Sequence, residues 1–302
     1  MKAVVIRKYG GPEELKFEDF PDPMPAHGQV LVKTFATSVN PFDIKIRSGA
    51  VKDYVPLQFP AILGLDVAGT VTAIGEGVKS FAIGDKVFAQ AMKCYATLCA
   101  VKADELAKLP AGMDLASAAA IPTVTNTGAQ LADLAHSNGK KATVLVLGAV
   151  GNVGRSAVYR LKEHSATVIA GVLKKQASDA KKTQADLVVA LDDDKDIEGL
   201  PMLDAIADTI SGPNAAKVVR KLKSGGIFAS VLAPPPNASE RPDMVVKTMV
   251  VKNDAKMLLE MARAVQSGKL SIPMGKSFPL KEASAAHAAA EAGGTGKILL
   301  VA

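Results

Sequence analysis

The 302-residue chain has no tryptophan, four tyrosines, four histidines and two cysteines. With 4% aromatic residues it lacks the stacking platforms on which single-stranded nucleic acids lie. Two cysteines cannot staple a chain of this length, and the five-residue spacing of Cys94 and Cys99 matches no common zinc pattern. They read as two small, buried or half-buried residues in a reducing compartment. His27, His136, His164 and His287 are scattered without ligand spacing. No apolar run approaches the roughly 18 residues that span a bilayer. The apolar stretch within Met1–Lys8 is too short for a secretory signal. A cytoplasmic location is therefore expected. A net charge of +6, with lysines and arginines scattered rather than gathered in a tail, turns attention to an anionic small ligand.

What the chain does have is ordinary for a folded protein: 48% hydrophobic and 22% charged residues. At about 150 residues per domain its length suggests two domains. Residues 1–120 read as β-rich, punctuated by glycine and proline. Strands are expected over Ala3–Ile6, from Gln29 through Phe35, over Val67–Ile74 and after the Gly84-Asp85 turn. Asp114 reads as the N-cap of a helix. From about residue 143 the pattern alternates. Strands are expected over Val144–Leu147, Thr167–Leu173, Leu187–Leu191, Asp204–Ile210, Gly226–Leu232 and Val245–Val251. Helices are expected over Asn152–Glu163 and Gln176–Gln184. Such alternation implies right-handed crossovers and a doubly wound parallel sheet. Pro234-Pro235-Pro236 is a loop, and Asp192-Asp193-Asp194 reads as a solvated charge run. Residues 270–302, with a helix over Lys281–Ala292, are expected to return to the first domain. The division is therefore 1–120 with 270–302, and 121–269.

The strongest chemical signal is Val144-Leu145-Val146-Leu147-Gly148-Ala149-Val150-Gly151-Asn152-Val153-Gly154. An apolar strand runs into a glycine-rich turn and then a helix, with alanine at the first position of a G-x-G-x-x-G fingerprint. Gly151 would let the backbone approach a pyrophosphate, and Gly154 would let helix and sheet pack closely. The helix N-terminus offers free N–H groups to anionic phosphates. An acidic residue about 20 residues on, near the end of the second strand, would select NAD. At that place stands Ala170-Gly171-Val172-Leu173-Lys174-Lys175. Lys174 and Lys175 can pair with a 2′-phosphate, which favours NADPH.

Several blocks resemble the medium-chain dehydrogenase/reductase superfamily, and within it the zinc-independent quinone oxidoreductases. They are Met1-Lys2-Ala3-Val4 with Tyr9-Gly10-Gly11-Pro12-Glu13, Asn40-Pro41-Phe42-Asp43 with Arg47-Ser48-Gly49, Gly64-Leu65-Asp66-Val67-Ala68-Gly69, Gly84-Asp85-Lys86-Val87, the glycine turn, and Gly296-Lys297-Ile298-Leu299. The resemblance implies a GroES-like β-rich catalytic domain joined to a Rossmann domain. It implies hydride transfer from NADPH to a quinone or α,β-unsaturated carbonyl, and a homodimer. Zinc-dependent relatives place Cys where Asn40 stands and His-Glu where Leu65-Asp66 stands, so no metal is expected. Asn152 replaces the glycine common at its position, and Lys45 stands where relatives often carry Tyr, with Tyr54 nearby.

By resemblance, Asn40 lies near nicotinamide and substrate. Its amide either donates to the acceptor's carbonyl oxygen or stabilises the turn before Pro41. Tyr54 is the second candidate donor, although a tyrosine in a proline-rich loop is more often a packing residue. Asp43 is expected to bond backbone in its own turn. Thr127 resembles a threonine near the nicotinamide. The resemblance places Ile210-Ser211 and Leu232-Ala233 at strand C-termini, the ligand-binding edge of such sheets, where they should reach the cofactor's other end. The resemblance places Lys297 near the nicotinamide phosphate; otherwise it reads as an exposed lysine at a strand start. Two further readings stay open: a zinc-free alcohol dehydrogenase, and an NADPH-binding protein with a structural or RNA-binding role.

Overall fold

A computed structural model describes residues 1–136, 141–294 and 296–302. The chain divides into two compact units: Met1–Thr123 with Asn253–Gln266 and Ile272–Ala302, and Val124–Lys252 with Ser267–Ser271.

The first unit is built on β-strands. Its larger sheet is centred on Gln29–Ser38, which pairs antiparallel with Asp66–Ile74, Leu98–Lys102 and Lys297–Val301. Along Gln29–Ser38 the side chains alternate between buried and less buried, as a strand with one face on the core requires. Val30 and Val32 meet Val67, Val71, Val87, Ala89, Val101 and Leu106 in one apolar cluster. Lys86–Gln90 and Leu106–Lys108 extend this sheet on one side, and Met274–Pro279 on the other. A smaller sheet joins Lys16–Asp19, Lys2–Ile6 and Ala61–Ile62. The expected strands at Ala3, Gln29, Val67 and Lys86 are all present. Lys16–Asp19, Leu98–Lys102 and Leu106–Lys108 are further strands, too short and mixed in pattern to be read from the sequence.

Ile272–Ala302 counts with this unit, and Lys297–Val301 pairs directly with Gln29–Ser38. The helix Ala255–Gln266 also counts with the first unit, whereas a sequence boundary at 269/270 groups it with the second. Among its contacts, the Gln266 side chain donates to the Ala111 carbonyl at 2.5 Å.

The second unit carries a six-stranded parallel sheet. Its order is Leu187–Ala190, Thr167–Val172, Thr143–Leu147, Leu203–Asp208, Leu222–Ser230, Val245–Thr248. The order reverses around Thr143–Leu147, the strand that leads into the glycine turn, which is the arrangement of a dinucleotide-binding sheet. Successive residues of that strand serve opposite faces. Val144 and Val146 pack with Leu131, Ala157, Leu161 and Val168. Leu145 and Leu147 pack with Ile206, Val218, Leu222 and Phe228.

Two expectations change here. The Gln176–Gln184 helix shrinks to a 3₁₀ turn over Lys174–Gln176 and a single α-turn over Ala177–Ala180. The Thr183 hydroxyl donates to the Ala180 carbonyl at 2.6 Å and competes with continuation of the helix. The three aspartates are more than a solvated run. Asp192 accepts the Lys174 N–H at 2.7 Å, Asp193 caps Asp194–Glu198 through the Lys195 N–H, and Asp194 pairs with Lys217.

Candidate active site

Backbone hydrogen bonds tie the glycine turn to the sheet and close it on itself. The N–H groups of Gly148 and Ala149 reach the Gly171 carbonyl, and the Gly151 N–H closes back on the Gly148 carbonyl at 2.9 Å. Gly148 sits at φ +75°, which L side chains rarely adopt, and an added Cβ would lie 2.5 Å from Thr209 Oγ1. At Gly154 an added Cβ would stand 2.1 Å from the Gly148 carbonyl oxygen. Here glycine is a steric requirement of the strand–turn–helix approach. At Gly151 the nearest atom to such a Cβ is the Gly148 oxygen, at 3.3 Å.

The helix that follows, Asn152–Glu163, starts without a side-chain cap on Gly151. Its leading N–H groups, on Asn152, Val153 and Gly154, have no acceptor within the helix. This cradle of amides suits a pyrophosphate. Arg155, which the sequence reading passes over, braces the turn. It is buried, donates through Nε to the Val150 carbonyl at 2.9 Å, and pairs with Asp179 at 2.5 Å.

Lys174 and Lys175 open the 3₁₀ turn after Thr167–Val172 and are exposed. The sequence lacks an acid at the end of that strand, but the fold supplies two from the next one. Asp192 takes the Lys174 backbone, and the Lys174 ammonium lies 3.5 Å from Asp193. Across the sheet, Asp208 is a second residue that the sequence reading missed. It is buried at the end of Leu203–Asp208 and accepts from the N–H groups of Ile210 and Ser211 and from the Ser230 hydroxyl. Ser230 Oγ in turn accepts the Leu232 N–H at 3.1 Å. One carboxylate thus shapes both loops named from the sequence, Ile210-Ser211 and Leu232-Ala233. Its only signal is an aspartate closing an apolar strand. Thr127, in the same unit, is buried on the helix Pro122–Ala135.

The first unit holds a cluster of a different kind. Asn40 follows the central strand and caps the helix Pro41–Ser48, with Pro41 at the first helical position. Its backbone N–H donates to Asp43 Oδ2 at 2.9 Å, so Asp43 has the local role expected of it. The Asn40 side chain is drawn elsewhere. Its Nδ2 donates to Asp66 Oδ2 at 2.8 Å, and its Oδ1 accepts from the Lys297 ammonium. Asp66 also accepts from the Ser38 hydroxyl and, at 2.7 Å each, from the N–H and hydroxyl of Thr123. Lys297 is 3% exposed, and its ammonium also faces the Val39 carbonyl at 3.4 Å and Asp66 at 3.5 Å. It is not the exposed lysine that a strand start suggests. Burial pulls its pKa below the ordinary lysine value, while Asp66 and Asp43 oppose the fall. Burial pushes the Asp43 carboxyl up to about 7.

Tyr54 is 88% exposed on the turn after this helix and stands outside the cluster. Tyr95 is the buried tyrosine. Its hydroxyl meets His287 Nε2 at 3.0 Å, and His287 Nδ1 meets Arg47 at 3.1 Å. Burial, aided by the Arg47 guanidinium, pushes His287 down to about 3. Cys94 and Cys99 are buried, free thiols.

The resemblance sets zinc ligands of zinc-dependent relatives at Asn40, Leu65 and Asp66. Leu65 offers no donor atom, and Asn40 and Asp66 are already bonded to an internal ammonium. Among the described residues no three His, Cys, Asp or Glu side chains converge as a metal site would require.

Comparison with known proteins agrees with this architecture. Residues 26–135 match the alcohol dehydrogenase GroES-like domain, and residues 181–300 match the domain described as zinc-binding dehydrogenase. Together these define the two parts of a medium-chain dehydrogenase/reductase. The quinone oxidoreductase of Sus scrofa is 33% identical over 100% of this chain and 98% of its own. The structure of the quinone oxidoreductase from Coxiella burnetii superposes with a TM-score of 0.89 at 28% identity, covering 100% of this chain and 99% of that one. A mycobacterial protein solved in complex with NADPH superposes with a TM-score of 0.83 at 26% identity, covering 100% of both chains. The chain belongs to the quinone oxidoreductase family of the medium-chain dehydrogenase/reductase superfamily.

Proposed function

We propose that the protein reduces quinones, or α,β-unsaturated carbonyls, with NADPH and without a metal ion. The observation that carries this reading is that the chain holds a glycine cradle and, at the positions the resemblance gives to zinc ligands, an asparagine and an aspartate bonded to an internal ammonium. Its family relatives named quinone oxidoreductases support the acceptor class, and the NADPH complex of the mycobacterial neighbour supports the cofactor.

NADPH supplies a hydride when bound. Gly148, Ala149, Gly151 and the amides of Asn152, Val153 and Gly154 hold its pyrophosphate. Lys174 and Lys175 hold the 2′-phosphate, and Thr127, Leu232 and Ala233 border the nicotinamide end. With a proton from water the acceptor becomes a hydroquinone or a saturated carbonyl. Negative charge gathers on the acceptor's oxygen as hydride arrives, and Asn40 donates to that oxygen. Asn40 is 1% exposed, so this hydrogen bond forms away from bulk water, where it counts for more. Asn40 is preferred to Tyr54 because its amide is held by buried partners and the Tyr54 hydroxyl is not. The protein works as a homodimer in the cytoplasm, in line with the family resemblance. No helix among the described residues is long and apolar enough to cross a membrane.

The test is direct. Purified protein is mixed with NADPH or NADH and a panel of benzoquinones, naphthoquinones and 2-alkenals, and nicotinamide absorbance is followed. The expected result is oxidation of NADPH in preference to NADH, unaffected by a chelator. No turnover with any member of the panel overturns the reading.

A further inference from the structure

We propose that Lys297 is a positioning residue: with Asp66 it fixes which end of the Asn40 amide is offered to the acceptor. The inference rests on the reading of Asn40 as hydrogen-bond donor. An asparagine amide has two ends of nearly equal shape and opposite polarity. Here the oxygen end meets the Lys297 ammonium, and the nitrogen end gives one hydrogen to Asp66 at 2.8 Å. Turned over, the amide would set its N–H₂ against an ammonium that cannot accept, and its oxygen against a carboxylate that cannot donate. Opposite charges at the two ends therefore lock one orientation. The second Nδ2 hydrogen is then always the group left for an acceptor.

Two other roles for Lys297 fit less well. As a phosphate ligand it would need an ammonium free to leave the protein. Its three hydrogens already have three acceptors within reach: Asn40 Oδ1, the Val39 carbonyl and Asp66 Oδ2. As a direct electrophile it would need uncompensated charge, and Asp66 lies 3.5 Å away. Nor does Lys297 reach Asn40 by a flexible arm alone. Its strand pairs with Gln29–Ser38, and the Val39 N–H bonds the Ile298 carbonyl at 3.0 Å. Backbone register brings the ammonium to the amide.

The test compares Lys297→Met, Asn40→Ala and their combination in steady-state quinone reduction, with NADPH affinity titrated by fluorescence. A second variant, Asp66→Asn combined with Lys297→Met, removes both charges and so leaves neither buried alone. It serves if Lys297→Met fails to fold. Either Lys297 variant is expected to lower kcat by up to about a hundredfold, as misplacement of a reacting group does. NADPH affinity should hold within about twofold, and Lys297→Met should add little in the Asn40→Ala background, because the lysine acts through Asn40. A loss of NADPH affinity with kcat intact would make Lys297 a cofactor ligand and overturn the proposal. So would an equal loss of kcat in the Asn40→Ala background. If Asn40→Ala leaves kcat unchanged, the reading of Asn40 falls and this inference with it. If Asn40→Ala slows turnover and neither Lys297 variant does, only the inference falls.

Discussion

The glycine turn and the Asn40 cluster are both candidate ligand sites, built by opposite means. The turn is made of what is missing: side chains at Gly148 and Gly154 would collide with the structure, and backbone amides do the presenting. The cluster is made of side chains, with a buried carboxylate, a buried ammonium and an amide between them. Backbone sites are sensitive to volume and indifferent to charge. Side-chain charge clusters are the reverse, since removing one partner strands the other out of water.

Asp66→Ala gives the largest expected effect. Leaving Lys297 buried without its counter-ion should cost about 3–5 kcal/mol of stability, measured by urea unfolding. A cost below about 1 kcal/mol would mean that the cluster behaves as an exposed ion pair. Gly154→Ala comes next. Its Cβ would meet the Gly148 carbonyl, so about 1–3 kcal/mol should be lost together with NADPH affinity. Full NADPH affinity in this variant would separate the close helix–strand approach from cofactor binding.

Charge in the first unit can also be read through pH. Between about pH 4 and 6.5, native Asp43 keeps a proton that the unfolded chain has lost, so its contribution to stability falls as pH rises. Native His287 stays neutral while the unfolded chain is protonated, so its contribution rises with pH. The two slopes oppose each other, each at most about 1.4 kcal/mol per pH unit. Asp43→Asn should leave stability rising across this window, and His287→Gln should leave it falling. Thermal melts at pH 4.5, 5.5 and 6.5 would show both slopes, and identical profiles for the two variants would contradict the assignment. Lys174→Ala with Lys175→Ala should weaken NADPH about tenfold and spare NADH, as loss of a charge-assisted phosphate contact does. Tyr54→Phe should change kcat less than about threefold. A hundredfold loss would return the donor role to Tyr54.

The same contrast explains what could be read in the chain beforehand. The turn was legible because its constraints are local: apolar strand, glycine spacing and helix follow one another within a dozen or so residues. The doubly wound sheet followed from alternation, with strand ends off by only a few residues. Asn40 is singled out by resemblance alone, and the sequence does not show its partners. Nothing near Lys297 in sequence shows that its strand pairs with Gln29–Ser38. Asp208, Arg155 and Tyr95 are not legible for a related reason: each has a partner brought by tertiary structure, Ser230, Asp179 and His287. The Gln176–Gln184 helix failed more locally, at one threonine hydroxyl.

The strand that carries Lys297 joins the sheet 258 residues after Val39. During synthesis, Asn40 and Asp66 are therefore made long before the ammonium that pairs with them. The contiguous stretch Val124–Lys252 lies complete in between. Until Lys297–Val301 arrives, the edge of Gln29–Ser38 that it covers has no partner, and the carboxylate of Asp66 has no lysine. The cluster is in this sense a mark of completion: a chain stopped short of Lys297 can hold every glycine of the turn and still lack the lysine that orients Asn40.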